Sequence, residues 1–298
     1  MLPTSPPGST PTAASRKTVG RHPVGLRPTG YEKASVADAW YAGWVVDAEA
    51  VPSEVQAALD AWAAFPVEAV PRPLVLWYEV EGPERFPDED TKNAYESGQF
   101  ELGCDLHGEH APVDGLPLIG GDEILARLRA AGSTGPEGNE ALRITSVTLG
   151  QGRFTTDRGV RDLPAWEVRF DGIETPARVL AVAPEAIFHQ PRRAFHTTTP
   201  LAGASTVDKR TLDLWFVGSP EDVPIAYEAA AFGSRMAVAA VIESTWTGGD
   251  RRAVRAVGKR RSARVTLDVP LGERVLIDGR ARYPVPVTDR PILGPPPR

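Results

Sequence analysis

Leu142 to Pro184 reads LRITSVTLGQGRFTTDRGVRDLPAWEVRFDGIETPARVLAVAP. Apolar and polar residues alternate along it, and turn-forming residues interrupt the alternation at short intervals. A period of two is that of a strand with one face buried and one wet. In Ala165 to Asp171, Trp166, Val168 and Phe170 fall on one face and Glu167, Arg169 and Asp171 on the other. Thr156 to Val160, TDRGV, has turn chemistry, and Gly159 is free to take positive φ. The stretch predicts four antiparallel strands. It organises the fold, and every residue of it that the pattern explains is explained by folding.

The same rhythm continues downstream. Strands are predicted over Ala177–Ala183, Thr211–Val217, Ile225–Ala231, Arg235–Glu243, Ala263–Val269 and Arg274–Ile277, with Val265, Leu267 and Val269 repeating the alternation. The tail from Tyr283 is too rich in proline for a sheet interior. Upstream the period is helical. Ser53 to Phe65 offers Ser53 as cap, Gln56 three residues on, and an apolar stripe of Val55, Ala58, Leu59, Trp62 and Phe65. Asp88 to Tyr95 predicts a short helix capped by Asp88, and Asp122 to Ala131 one capped by Asp122 and closed by Gly132. Val36 to Val46 fits a helix, or a helix running into a strand, and Leu74 to Val80 a strand.

These elements predict an α+β, mainly β protein: an antiparallel β-sandwich or partly open barrel with a small helix-containing N-terminal region. Residues 1–30, rich in Pro, Gly, Ser and Thr, are expected to form a disordered arm. Residues 31–135 then form a small α+β region and 136–298 the β domain, with Ser133–Glu140 as linker. The 29 prolines and 28 glycines agree with frequent turns and few long helices.

A net charge of −6 argues against general affinity for nucleic acid or anionic lipid. Cys104 is the one cysteine, so the chain cannot form an internal disulfide. No apolar run approaches the roughly 18 residues of a membrane span. The expected location is cytoplasmic as numbered, or exported if the true start lies upstream.

Two segments carry candidate chemistry. Cys104 to Asp114, CDLHGEHAPVD, gathers Cys104, His107, Glu109 and His110 as possible zinc ligands, with Asp105 and Asp114 nearby. Gly108 and Pro112 exclude a helical HExxH arrangement, so a polar surface loop accounts for the same residues. Arg251 to Arg264 holds seven basic residues and no acid. Arg251, Arg252, Arg255, Lys259, Arg260 and Arg261 would form an anion-binding set there. The segment lacks an interleaved aromatic residue for base stacking and equally suits a solvated connection between strands. Phe188-His189 and Phe195-His196 flank Pro191-Arg192-Arg193, which fits a loop between strands or a weak anion site. There is no Gly-rich phosphate loop and no GxSxG elbow.

The runs RFTTDRG, LPAWEVRFDG and ARVLAVAP within residues 153–184 resemble a group of uncharacterised proteins common in high-GC Gram-positive bacteria. TKNAYESGQFEL at 91–102 and RVTLDVPLGERVLIDG at 264–279 are similar too, and the likeness covers most of residues 90–287. Its motifs are turns and strands. It implies no activity and transfers no catalytic residue, although members of that group commonly begin with an export or lipoprotein signal. The function expected from the residues is binding or assembly without catalysis, through a protein partner or homo-oligomer. The alternatives are a metal-dependent hydrolase using residues 104–114 and a polyanion-binding protein using 251–264.

Overall fold

Strands β3 (Leu142–Thr156) and β4 (Gly159–Phe170) form one long antiparallel hairpin, paired from Ile144↔Phe170 to Thr156↔Gly159. Only Asp157 and Arg158 separate the strands. The Thr156 hydroxyl donates to the Gly159 carbonyl at 2.8 Å and accepts from the Arg158 amide at 3.0 Å. Gly159 takes φ +86°, as its sequence context predicts, and a Cβ there would come within 2.8 Å of Thr288 Cγ2. The computed structural model describes residues 51–106, 111–132, 140–190, 200–220, 223–248 and 258–289, all within the unit Trp44–Arg298. The expectations for residues 1–30 and Val36–Val46, and for linker residues 133–139, lie outside the described residues.

Leu142–Pro184 therefore holds three strands rather than four. The third, β5 (Ala177–Leu180), pairs with β4. Two short strands complete the sheet: β1 (Val80–Glu81) beside β5, and β2 (Phe100–Leu102) running parallel to β3. Leu74–Val80 is mostly not a ladder strand. Leu74 and Leu76 make isolated bridges to Ile187 and Thr156, because its neighbours change from residue to residue. Both faces of the sheet are covered. Trp166, Val168 and Phe170 pack with helices α2 (Glu89–Glu96) and α3 (Gly121–Ala131). Phe154, Leu163, Ala165 and Leu180 pack against Leu74, Leu76 and Ile187 on the other side. Residues on both sides of 133–139 thus share one sheet.

Asp88 caps α2 as expected, accepting from the Thr91 amide at 2.7 Å. The other two caps differ from expectation. Helix α1 (Ser53–Ala61) starts at Ser53 after Pro52, and Gln56 donates to Asp60 instead of closing a capping box. Gly120 occupies the cap of α3, which leaves Asp122 in its first turn, where a negative charge suits the helix dipole.

The C-terminal half is two facing sheets. One is ordered β10 (Lys259–Thr266), β7 (Thr211–Gly218), β6 (Leu201–Thr206), β12 (Val287–Thr288); the other β11 (Val275–Asp278), β9 (Ala237–Trp246), β8 (Ile225–Gly233). Leu212, Leu214 and Phe216 meet Val238, Ala240 and Ile242 between them. The other side of β9, Ala237, Ala239 and Val241, receives the α1 stripe, so β9 is buried on both faces. The described chain is α+β and mainly β, as the sequence predicts, with parallel pairings at β2–β3, β11–β9 and β12–β6 added to the antiparallel set. The Pro-rich tail does enter a sheet. Val287–Thr288 lies at an edge, where proline neighbours cost no interior hydrogen bond. No described helix is long and apolar enough to cross a membrane.

The tip of the β3–β4 hairpin joins the halves. Asp157, 2% exposed, accepts a salt bridge from Arg72, and its backbone bonds to Val75 and Val287. Arg158 reaches the carbonyls of Gly272 and Arg274 at 2.7 and 3.1 Å.

Candidate functional site

The two segments singled out by sequence are only partly described. Cys104 is half-buried and packs against the core around Tyr95 and Phe170. His107, Glu109 and His110, and with them the zinc site, lie outside the described residues. Among the described residues no three His, Cys, Asp or Glu side chains are grouped to hold a metal ion. Of the basic set, Arg251, Arg252 and Arg255 lie outside the described residues, while Lys259, Arg260 and Arg261 lie on β10, an edge strand. The Arg260 guanidinium stacks 4.5 Å over the Trp215 ring, and Arg261 Nε donates to the Ser219 carbonyl at 2.8 Å. Arg264 forks onto both carboxylate oxygens of Asp213, at 2.8 and 3.1 Å, across the Arg264↔Asp213 pair. Part of the basic charge is therefore spent on neighbouring β7. The aromatic partner missing from the segment is supplied from that strand, which the sequence of 251–264 could not reveal.

A different place collects convergent polar groups in a concavity. A cleft of about 410 Å³ opens between residues 76–80, the end of α3 and residues 187–190. Its size is that of a small-molecule site. Backbone bonds fix its walls. The Leu74 amide donates to Ala186 at 2.9 Å, the Phe188 amide to Leu74 at 2.8 Å, and the Leu180 amide to Glu79 at 2.8 Å. Leu76, Trp77, Ile187, Ala130 and Ala131 supply apolar lining.

Arg127 sits at the back, 7% exposed. A buried guanidinium must be neutralised and hydrogen-bonded. Its Nη1 donates to the Leu180 carbonyl at 3.1 Å and lies 3.2 Å from Glu79 Oε2, and its Nε donates to Glu123 Oε1 at 3.4 Å. The other Glu79 oxygen faces His189 Nδ1 at 3.8 Å, beyond a hydrogen bond. Gln190 completes the cleft. Its Nε2 donates to the Leu76 carbonyl at 2.8 Å, which fixes the amide orientation. Its Oε1 is then buried without a hydrogen-bond partner among the described residues.

His189 is the one residue here to which the sequence drew attention, and it stands at the rim, well exposed. Glu79 and Arg127 were missed. Arg127 did leave a trace: it adjoins Leu128 and lies three residues after Ile124, at the border of the apolar face of α3. Its pairing with Glu79 joins distant segments and has no local signature. Two more open grooves are less suited to a ligand. In one, lined by Arg153, Arg158 and Lys209, Arg158 is engaged by Asp157 and backbone carbonyls. The other is lined by Asp88, Asp90, Glu101, Asp171 and Arg143 with Ala94, Ala141 and Leu142, and its lining is more polar than apolar.

Comparison with family models, with curated proteins and with solved structures returned no match for this chain. The class defined by fold and cleft is an α+β, mainly β protein with an open cleft of mixed polar and apolar lining.

Proposed function

We propose that this is a binding protein and that its ligand occupies the cleft between residues 76–80, α3 and residues 187–190. One observation carries the reading: the Glu79–Arg127 pair is fixed at the back of a concave, largely apolar space of about 410 Å³. Apolar walls with a few oriented polar groups are the general composition of small-molecule sites. The likeness of residues 90–287 to an uncharacterised group contributes no site residue to this reading. The test is mass spectrometry of small molecules extracted from protein purified under native conditions. Wild type is expected to release a compound that Ala131→Phe, which fills the cleft from an exposed helix position, does not. Identical extracts from both would refute the proposal.

A second reading is favoured by Arg260 stacked on Trp215. Polyanion binding along β10 pairs a cationic strand with an aromatic platform, the combination used for single strands. It predicts association with a short oligonucleotide at about 50 mM salt that is lost near 200 mM. Trp215→Ala should weaken it, and no association at the lower salt would end this reading.

A further inference from the structure

The acceptors left open in the cleft select a ligand class. We infer that the ligand is an organic amine: a cationic N–H donor head on an apolar body. The inference rests on the cleft being a binding site. Gln190 Oε1 is a buried carbonyl oxygen with no hydrogen-bond partner among the described residues. Such groups are costly to leave unpaired, and a ligand that donates to one recovers the loss. Because Nε2 is committed to Leu76, the amide cannot turn to offer a donor in place of the acceptor. The second open acceptor is Glu79. One of its oxygens is held by Arg127, and the other meets no donor within hydrogen-bond distance among the described residues, His189 being 3.8 Å away.

An anionic ligand is the competing choice, drawn by Arg127. The geometry disfavours it. Arg127 is 7% exposed, its Nη1 and Nε face Leu180, Glu79 and Glu123, and two carboxylates stand around one guanidinium. Besides apolar wall, the cleft lining carries two acceptors without a partner among the described residues, one Glu79 oxygen at the surface and Gln190 Oε1 beneath it, and His189 at the rim. An ammonium group donates charge-assisted hydrogen bonds to acceptors of this kind, and its hydrocarbon or aromatic part covers Leu76, Ile187 and Ala131.

The test compares three molecules with one body and different heads, by calorimetry at neutral pH: phenethylamine, phenylacetate and phenylethanol. Phenethylamine is expected to bind at least about tenfold more tightly than either of the others. Glu79→Gln should remove the preference for the amine over the alcohol. Gln190→Met, which leaves the Arg127 pair intact, should weaken both about tenfold. If phenylacetate binds as tightly as phenethylamine, the amine assignment falls and the cleft survives as a site. If none of the three binds, both fall. Amine binding indifferent to Gln190→Met and to Ala131→Phe would place it elsewhere and refute the inference.

Discussion

Glu79 and Arg127 are unequal partners. Glu79 is about a third exposed, whereas Arg127 is buried. Removing the carboxylate leaves a buried guanidinium with only the longer Glu123 contact and the Leu180 carbonyl; removing the guanidinium lets Glu79 and Glu123 turn to water. Glu79→Ala should therefore cost about 2 kcal/mol, and Arg127→Met, which fills its space next to Leu128, less than about 1 kcal/mol. Denaturant midpoints check this, and the reverse order would contradict it. Tyr95 offers a second residue-scale test. It packs edge-on against Phe170, and burial pushes its phenol up to about 12 from 10.0. Between those values the unfolded chain has lost the proton and the folded chain has kept it, so stability falls as pH rises through the window. The loss is roughly 3 kcal/mol. Tyr95→Phe should abolish that part of the alkaline decline, and an unchanged profile would contradict the assignment.

At the scale of elements, the hairpin of β3 and β4 does more than form a sheet. Its tip carries Asp157 between Arg72 and Arg158, with backbone bonds to Val75 and Val287. Asp157→Ala would leave two cations facing a buried site without their shared carboxylate, and is expected to cost about 3 kcal/mol in thermal or denaturant unfolding. A loss below about 0.5 kcal/mol would mean that the tip is not a structural joint. Much of this was legible. The alternation of Trp166, Val168 and Phe170, the turn at Gly159 and the α1 stripe each have a local period that the structure repeats. The departures share one cause, which is distance along the chain. The parallel pairs β2–β3, β11–β9 and β12–β6 unite segments with no local trace of one another. Leu74–Val80 has strand composition but lacks a continuous neighbour. The prolines of the tail cannot donate, yet their carbonyls accept from Trp77 and Ala204.

At the scale of the molecule, the sheet of β1 to β5 with α2 and α3 carries the cleft, and the facing sheets with α1 carry the basic edge strand. The candidate site was less legible than the fold. His189 drew notice through its neighbours, but Glu79, Arg127 and Gln190 become a site only when residues 76–80, α3 and residues 187–190 meet. Charge composition pointed instead to 251–264, whose described cations are partly spent on Asp213, Ser219 and Trp215. The central claim is that the cleft binds a ligand. Backbone chemical-shift mapping during titration with each of phenethylamine, phenylacetate and phenylethanol tests it most directly. Saturable shifts centred on residues 76–80, 127–131 and 187–190, absent in Ala131→Phe, are the predicted result; saturable shifts confined to other surfaces, or none at all, would contradict it.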